Sequence, residues 1–302
     1  MWKVSVSISL AISFAAVSSE AGDSAYSTEG RAEESFIPNF AIGKSYFSWT
    51  GDSDFSDATG SLSQYEFGVE VNAPLVLRDS FRVTAGVQYR FNSLDFTGAP
   101  FPLSNRSFDL HRVDVPFNFW KDFNRKWKMW VRLQPGWYSD FETMTSDDFI
   151  LTSLALLSYQ LNEKTRVAFG AFYSRDLGEE RVLPAIGVIV EPDPHWSIAL
   201  TFPRLEIAYA PTDDWLFTGR AVLSGAGWNI TDPAGGTQDV DLNYKSVRVG
   251  VGAEHNFAGP WWGYLDAGVQ LAQEIEIDSP TYQFQQDLDS AGFATGGIKA
   301  RF

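Results

Sequence analysis

The sequence predicts an all-β fold, a closed antiparallel barrel of about fourteen strands, with twelve as the alternative count. Three observations support this prediction. Apolar and polar residues alternate along most of the chain, the connections between these segments are short and long in turn, and the final segment is itself a two-faced strand. Because an open edge on such a strand would invite aggregation, we expect the last strand to pair with the first and close the sheet.

The alternation has the period of a β-strand. In residues 64–72 every odd-numbered position is apolar and every even-numbered position is polar or glycine. Side chains of a strand point to opposite faces in turn, so this segment has one apolar and one polar face. The same pattern recurs in residues 82–91, 112–119, 128–134, 165–173, 246–254, 264–271 and 289–302.

The proposed connections alternate in length. The short ones are residues 72–79, 121–125, 162–164, 191–195, 211–214 and 257–260. The long ones are residues 50–60, 93–106, 140–148, 174–181, 225–243 and 273–290. Short periplasmic turns at one rim and long extracellular loops at the other are typical of a transmembrane barrel.

One hairpin is weak. Residues 196–210 must run up and down with Pro203 at the tip, whereas one spanning strand takes about nine to eleven residues. This segment forms either a low notch in the outer rim, which gives fourteen strands, or one kinked strand, which gives twelve.

Aromatic residues cluster beside the proposed connections. We expect an inner girdle at the short turns and an outer girdle at the opposite interface, because aromatic rings favour the membrane–water boundary. The inner set is Trp120, Trp127, Trp196, Trp215, Trp261 and Trp262, and the outer set is Tyr46, Trp49, Trp137, Tyr138 and Tyr173. The alternative is that these rings fill a soluble β-sandwich, but charged residues on the opposite face of the same strands argue against it.

The start of the chain has the layout of an export signal. A short positive start, an apolar run and a small-residue exit predict a signal peptide over residues 1–21. A flexible polar segment over residues 22–35 and a single barrel domain over residues 36–302 follow. The absence of cysteine excludes disulfides and thiolate metal sites, and the net charge of −15 disfavours a nucleic-acid partner.

The closing strand ends on Phe302, with apolar residues at positions 298 and 300. This ending resembles the C-terminal signature of bacterial outer-membrane β-barrel proteins. Residues 207–219, a strand, a short turn and a strand begun by tryptophan, resemble the hairpins of uncharacterised families of porin-like barrels. The resemblance implies location in the bacterial outer membrane, Phe302 as an assembly signal, and outer-membrane lipid and the barrel-assembly machinery as partners.

If the apolar faces meet lipid, the alternate positions line the lumen. The candidates are Glu66, Glu70, Arg82, Arg90, Arg112, Asp114, Lys128, Arg132, Arg166, Arg220, Arg248, Glu254 and Asp266. Such a lumen has two interpretations. It forms a pore that favours anions, because rings of arginine bias a pore that way, or its arginines pair with the carboxylates and close the interior. The loops at residues 93–106 and 225–243 are long enough to constrict it.

The predicted function is therefore a passive outer-membrane channel or transporter for small solutes, which favours anions under the first interpretation of the lumen. The alternative is a structural or adhesion barrel with a closed lumen. A membrane-embedded hydrolase is the third class and depends on His111, although Ser107 is too distant in the strand to be its partner. We expect no catalytic residue, cofactor site or metal site, and interpret the acidic loops as a solvated rim that could contact lipopolysaccharide through divalent ions.

Overall fold

A computed structural model describes residues 41–174, 181–235 and 239–301, which form one β-sheet closed into a barrel. The strands are β1 (Ala41–Asp54), β2 (Ser61–Arg78), β3 (Phe81–Thr97), β4 (Ser107–Asp114), β5 (Phe117–Asp122), β6 (Trp127–Ser139), β7 (Phe149–Asn162), β8 (Thr165–Ser174), β9 (Arg181–Val190), β10 (Trp196–Phe202), β11 (Arg204–Thr212), β12 (Trp215–Thr231), β13 (Asp239–Ala258), β14 (Trp261–Asp278), β15 (Gln283–Leu288) and β16 (Ala291–Arg301). The predicted signal peptide, the segment 22–35 and Phe302 lie outside the described residues.

The barrel has fourteen strand positions, and two of them are each filled by two consecutive segments. β4 and β5 both lie between β3 and β6. Pro116 lies between them, and its missing N–H prevents a continuous ladder. β15 and β16 both pair with β14. The predicted count of fourteen is confirmed, and the alternative of twelve is wrong.

The first and last strands close the sheet as predicted. β1 pairs antiparallel with β16, and Trp49 lies opposite Ala294. The other neighbours follow chain order around the barrel. This pairing leaves no free edge where the first and last strands meet, which the hydrocarbon core requires because it offers no water to unpaired backbone groups.

The wall is uneven in height. β10 has seven residues and β11 has nine, whereas β13 has twenty. β10 nevertheless pairs with both β9 and β11, so the weak segment is a true hairpin. With Pro203 between its two strands, it forms the predicted low notch in the outer rim.

Several segments predicted as connections are strands. Residues 72–79 continue β2 as far as Arg78, with a register shift between Pro74 and Val76. Residues 225–231 belong to β12, and residues 273–278 belong to β14. At their outer ends, β12 and β14 are therefore longer than a membrane-spanning strand requires, and they continue beyond the membrane.

The lower wall, which is the part of the barrel nearer the short connections, has an exposed apolar face. Val71, Val251 and Leu265 are 57%, 70% and 71% exposed, and they alternate with inward-facing polar or small residues. A soluble protein does not leave so large a contiguous apolar surface to water, whereas a barrel in lipid requires one. The barrel therefore spans a membrane, and the soluble sandwich is excluded.

The aromatic girdles are confirmed only in part. Trp49, Trp137, Trp215 and Trp261 lie on the exposed outer face. Four other rings predicted for the girdles face the interior, namely Tyr46, Trp120, Tyr138 and Trp262. Their strand positions have the parity of the lumen, and this parity decides their direction more than aromatic character does.

Above the membrane the barrel narrows. Asn229 of β12 pairs in parallel with Ser139 of β6, so these two strands meet above β7 to β11. A smaller ring then closes through the outer ends of β6, β4, β3, β2, β1, β15, β14, β13 and β12. We call this ring of nine segments the upper barrel.

The upper barrel is filled by side chains. Barrels of about eight strands have an interior just wide enough for side chains to occupy. The core consists of Phe55, Leu62, Leu94, Phe96, Ala99, Leu103, Phe108, Leu110, Tyr138, Ile150, Ala226, Trp228, Ile230, Val240, Leu242, Tyr244, Ile275, Ile277, Phe284 and Leu288. An apolar core thus occupies the outer end of the barrel axis.

Candidate functional site

Beneath this core lies a polar cavity of about 290 Å³. It is lined by inward side chains of β1 to β4 on one side and of β11 to β14 and β16 on the other. Six lining residues are cationic and two are anionic. The charged set is Lys44, Arg90, Arg112, Arg204, Arg220, Arg248, Glu66 and Asp266.

Glu66 is the carboxylate around which the upper part of this cavity is arranged. The Tyr46 hydroxyl donates a hydrogen bond to one of its oxygens, and Asn92 Nδ2 donates to the other at 3.1 Å. Arg90 and Arg248 both interact with it electrostatically. One carboxylate is therefore shared between two guanidinium groups, which leaves positive charge facing the cavity.

Arg112 is held by a buried ion pair. Its Nε lies 2.8 Å from Asp114 Oδ2, and the Tyr138 hydroxyl donates to Asp114 Oδ1 at 2.6 Å. The guanidinium carbon lies 4.1 Å from the centre of the Tyr138 ring. Burial without pairing would be costly for either charge, so this arrangement fixes the positions of all three side chains.

A larger charge network lies towards the periplasmic end. Arg220 contacts Glu206 at 2.8 Å, Asp266 at 3.3 Å and Glu254 at 3.5 Å. Glu254 also pairs with Lys299 and, at 2.8 Å, with Arg301 of the closing strand. These pairs connect β11, β12, β13, β14 and β16 through the interior.

The periplasmic mouth contains a second concavity, of about 720 Å³. Lys128 and Arg166 line it together with Asp122, which Arg82 approaches to 3.6 Å. Its lining residues are distinct from those of the inner cavity. The interior is thus organised as two polar spaces, one below the apolar core and one open to the periplasmic turns.

The roof of the inner cavity is the base of the apolar core. Leu94, Ala226, Trp228 and Tyr244 belong to both. Among the described residues, the buried Trp228 Nε1 and the buried Tyr264 hydroxyl, which also line this cavity, have no hydrogen-bond partner. Buried donors are normally paired, so these two groups are suited to a bound acceptor.

The candidate lumen residues are distributed over both spaces. Glu66, Arg90, Arg112, Arg220, Arg248 and Asp266 line the inner cavity, and Lys128 and Arg166 line the periplasmic concavity. Arg132 donates to Gln134 at 2.8 Å, and Glu70 accepts from Asn72 at 2.8 Å. The ion pairs proposed for a closed interior form at Asp114, Glu254 and Asp266, while the cavity itself keeps an excess of arginine.

Sequence reasoning missed several charged or polar members of this site. Lys44 and Tyr46 of β1 line the cavity, as does Arg204, while Glu206 joins the charge network. The inward direction of Lys44 and Tyr46 was predictable, because β1 alternates regularly. Arg204 and Glu206 lie on the short β10–β11 hairpin, whose uncertain strand count left the direction of their side chains unpredicted.

The three histidines lie elsewhere. His111 faces outward, with its Nδ1 2.9 Å from the Tyr89 hydroxyl and its ring stacked on Phe141. His195 Nδ1 is 2.7 Å from the Ala210 carbonyl oxygen, and His255 stacks on Trp215. His111 therefore lies in an interfacial aromatic cluster, and the other two lie at periplasmic turns.

Within the described residues, the outer connections include two buried carboxylates, those of Asp148 and Asp232. Asp148 caps a short 3-10 turn (Ser146–Asp148) by accepting the Thr145 N–H at 3.0 Å, and desolvation raises its pKa. Asp148 is therefore not part of the solvated rim that was expected for the acidic loops.

Among the described residues, no group of three or more His, Cys, Asp or Glu side chains is arranged to hold a metal. The described chain has no helix with the length and hydrophobicity for crossing a bilayer.

Residues 38–285 match the model of a family described as Domain of unknown function (DUF6268). The chain belongs to this family. No curated protein sequence matches it. Its closed membrane-spanning barrel, with short turns at one rim and long connections at the other, is the architecture of bacterial outer-membrane proteins, and the outer membrane is its location.

Solved structures similar to this family member include three outer-membrane channels. The P. putida toluene transporter TodX has a TM-score of 0.45 and 11% identity, over 88% of this chain and 91% of that one. The NanC porin has a TM-score of 0.39 and 9% identity, over 86% and 100%. The KdgM porin, in complex with disordered oligogalacturonate, has a TM-score of 0.37 and 8% identity, over 86% and 99%.

Proposed function

We propose that the protein is a passive outer-membrane channel for small solutes and that its interior favours anions. The observation that carries this proposal is the polar cavity of about 290 Å³ with six cationic and two anionic side chains. Rings of arginine and lysine bias a pore towards anions.

Charge placement supports the anion preference. Glu66 and Asp266 are the carboxylates of the inner cavity, and both are engaged by arginine. The positive charge that remains is carried by guanidinium groups, which bind carboxylate and phosphate oxygens through several N–H donors. The protein is acidic as a whole, with a net charge of −15, so this preference is local to the interior.

The absence of catalytic geometry at the histidines supports transport over hydrolysis. Each of the three rings is engaged by an aromatic side chain or a backbone carbonyl, at an interface or a periplasmic turn. The channel needs no cofactor. Its proposed partners are outer-membrane lipid, lipopolysaccharide at the acidic outer connections, and the barrel-assembly machinery, which would recognise Phe302. Residues 1–21 would direct its export.

Planar-bilayer recording tests the channel. We expect purified, refolded protein to give discrete conductance steps with a reversal potential on the anion side in a potassium chloride gradient. Absence of steps in protein that is fully folded by gel mobility would remove the channel.

A single arginine tests the anion preference separately. Replacing Arg90 by Gln removes a cavity guanidinium and should reduce the anion-to-cation permeability ratio by about twofold or more. The matched control is Arg78→Gln, at the exposed periplasmic end of β2, which should leave the ratio unchanged. Cation preference in the unaltered protein would contradict the proposal.

A closed structural or adhesion barrel is the second candidate. The apolar core of the upper barrel favours it, because this core occupies the axis at the outer end. The two candidates differ in the same recordings, since a structural barrel conducts no ions. They also differ in whole cells, where removal of a structural barrel should alter adhesion or envelope integrity without changing solute uptake.

A further inference from the structure

We infer that solutes enter the inner cavity through an opening in the side of the barrel, and that this opening selects small amphipathic anions. The inference rests on the proposed channel function and adds its route and its substrate class. The opening lies where the fourteen-stranded wall narrows to the upper barrel. We call it the lateral window.

Strand pairing defines the window. The last pair between β11 and β12 is Arg204 with Val222, and the next partner of β12 on that side is Ser139 of β6, opposite Asn229. Within the described residues, β12 has no strand partner on this side from residue 223 to residue 228, but residues 226–228 are buried, so the accessible edge is residues 223–225. At about 3.3 Å per residue this accessible edge is roughly 10 Å long.

The opposite side of the window is β9. β10 ends at Phe202, which pairs with Ile186. In the described part of the chain, the β9–β10 ladder ends at Ile186, and residues 182–185 of β9 pair with β8 but not with β10. The missing wall is therefore bounded by β9, by the tip of the β10–β11 hairpin and by β12.

The inner cavity extends to this window. Five consecutive residues of β12, from Val222 to Ala226, line the cavity. Residues on one face of a strand alternate, so a run of five shows that the cavity follows the strand edge as well as its inner face. Arg204 at the hairpin tip also lines the cavity, and its side chain is 57% exposed.

The axial route is occupied. The core of the upper barrel lies directly above the cavity, and Leu103, Ile230 and Leu242 within it are 0% exposed. Displacing such a core would cost far more than passing through an existing gap in the wall. For the residues that the structure describes, the lateral window is therefore an entrance on the outer side that requires no unpacking.

The window and the cavity differ in polarity. Apolar side chains form the margin, including Val182 at 70% exposure and Phe202 at 42%. Behind the margin are Arg204, Arg220 and Arg248 and the two unpaired donors, Trp228 Nε1 and the Tyr264 hydroxyl. A solute with an apolar body and one sulfonate or carboxylate group matches both parts, because each part interacts with the portion of the solute that suits it.

Site-directed blocking tests the route. The chain has no cysteine, so Leu223→Cys introduces a unique thiol on the free edge of β12. The variant is modified with a bulky methanethiosulfonate reagent and reconstituted in liposomes, and uptake of 1-naphthalenesulfonate, a permanently charged amphipathic anion, is measured. Uptake should fall roughly tenfold on modification, because the adduct obstructs the pore entrance, and dithiothreitol should restore it.

The matched control is Val249→Cys, on the exposed outer face of β13 away from the window. Its modification should leave uptake unchanged. If modified Leu223→Cys protein takes up the probe at the unmodified rate, the lateral route is wrong while the channel stands. If unmodified protein takes up neither this probe nor chloride, the channel itself is wrong, and the route falls with it. Equal uptake of 1-naphthalenesulfonate and 1-naphthalenemethanol-β-glucoside, which is uncharged, would overturn the selection for anions.

Discussion

Asp114 shows how single residues hold the interior in place. Its carboxylate is fully buried and accepts from Arg112 on one oxygen and from Tyr138 on the other. Gly136 lies beside it, and a Cβ there would come within 2.5 Å of Asp114 Oδ1. The glycine therefore makes room for the buried ion pair against the wall of β6.

We expect Asp114→Ala to destabilise the barrel by about 3 to 5 kcal/mol, because it removes the carboxylate that pairs with the buried Arg112 guanidinium. The measurement is urea unfolding in detergent micelles, followed by the gel mobility of unboiled protein. Asp109→Ala is the control, since Asp109 is exposed on the same strand and accepts a hydrogen bond from Ser93 at 3.2 Å. Equal destabilisation by both changes would show that the ion pair has no special role.

At the residue scale, alternation predicted the direction of many side chains and residue type predicted it less well. Arg112 and Asp114 were placed inside because they share the polar parity of their strand. Tyr138 has the same direction, but it was assigned to a girdle from its aromatic type. Its hydroxyl is needed by Asp114 on another strand, and nothing local to residue 138 indicates that requirement.

At the scale of the strand, β13 carries two opposite patterns. Val240, Leu242 and Tyr244 face inward in the upper barrel, whereas Val249 and Val251 face outward to lipid. Lys245, between the two parts, pairs with Glu274 of β14 at 2.6 Å. Apolar residues thus exchange faces where the strand leaves the membrane, because lipid surrounds the lower wall and a packed core fills the upper one.

This exchange explains why the outer extensions were predicted as loops. Residues 239–245 alternate as clearly as any strand in the chain, but their apolar positions are even-numbered, while those of residues 246–254 are odd-numbered. The alternation of residues 246–254 therefore does not continue into residues 239–245, because the apolar positions change from odd to even numbers. The exchange itself is a sequence signal, and it marks the outer boundary of the membrane-spanning part on β13.

The part of β12 that belongs to the upper barrel should limit the passage of ions along the barrel axis. Trp228 is 3% exposed and forms part of the cavity roof. We expect Trp228→Ala to destabilise the barrel by about 3 to 5 kcal/mol through lost packing, and to increase single-channel conductance because the roof becomes thinner. Both effects are measured on the same refolded protein.

Phe101→Ala is the matched control for this change. Phe101 is another outer aromatic residue, but it is 71% exposed and lies outside the core. Its replacement should leave both stability and conductance unchanged. Destabilisation by Trp228→Ala without any increase in conductance would mean that the core blocks the axis at several levels.

At the scale of the molecule, the reduction from fourteen strands to nine segments was not predictable. It depends on the contact between Ser139 and Asn229 and on the hydrogen bond from the Thr231 N–H to Asp140, at 2.9 Å. These partners are far apart in sequence, and neither segment has a local pattern that names the other. Closure by the last strand was predictable, since a two-faced terminal strand requires a partner.

The whole molecule also separates its charges. The acidic residues that give the net charge of −15 lie largely in the outer connections, while the inner cavity has six cationic and two anionic side chains. Charges in a water-filled pore act over about 10 Å at 0.1 M salt and about 3 Å at 1 M. An anion preference that arises from the cavity should therefore weaken as salt is added.

We expect the anion-to-cation permeability ratio in planar bilayers to be higher at 0.1 M than at 1 M potassium chloride, and to approach the ratio of the free mobilities at the higher concentration. The Arg90→Gln variant should show a smaller change over the same range, because part of the field has been removed. Acidic outer connections would produce the opposite trend if they governed permeation, with cation preference strongest at low salt. The direction of the salt dependence thus decides which of the two charge layers the permeating ions encounter.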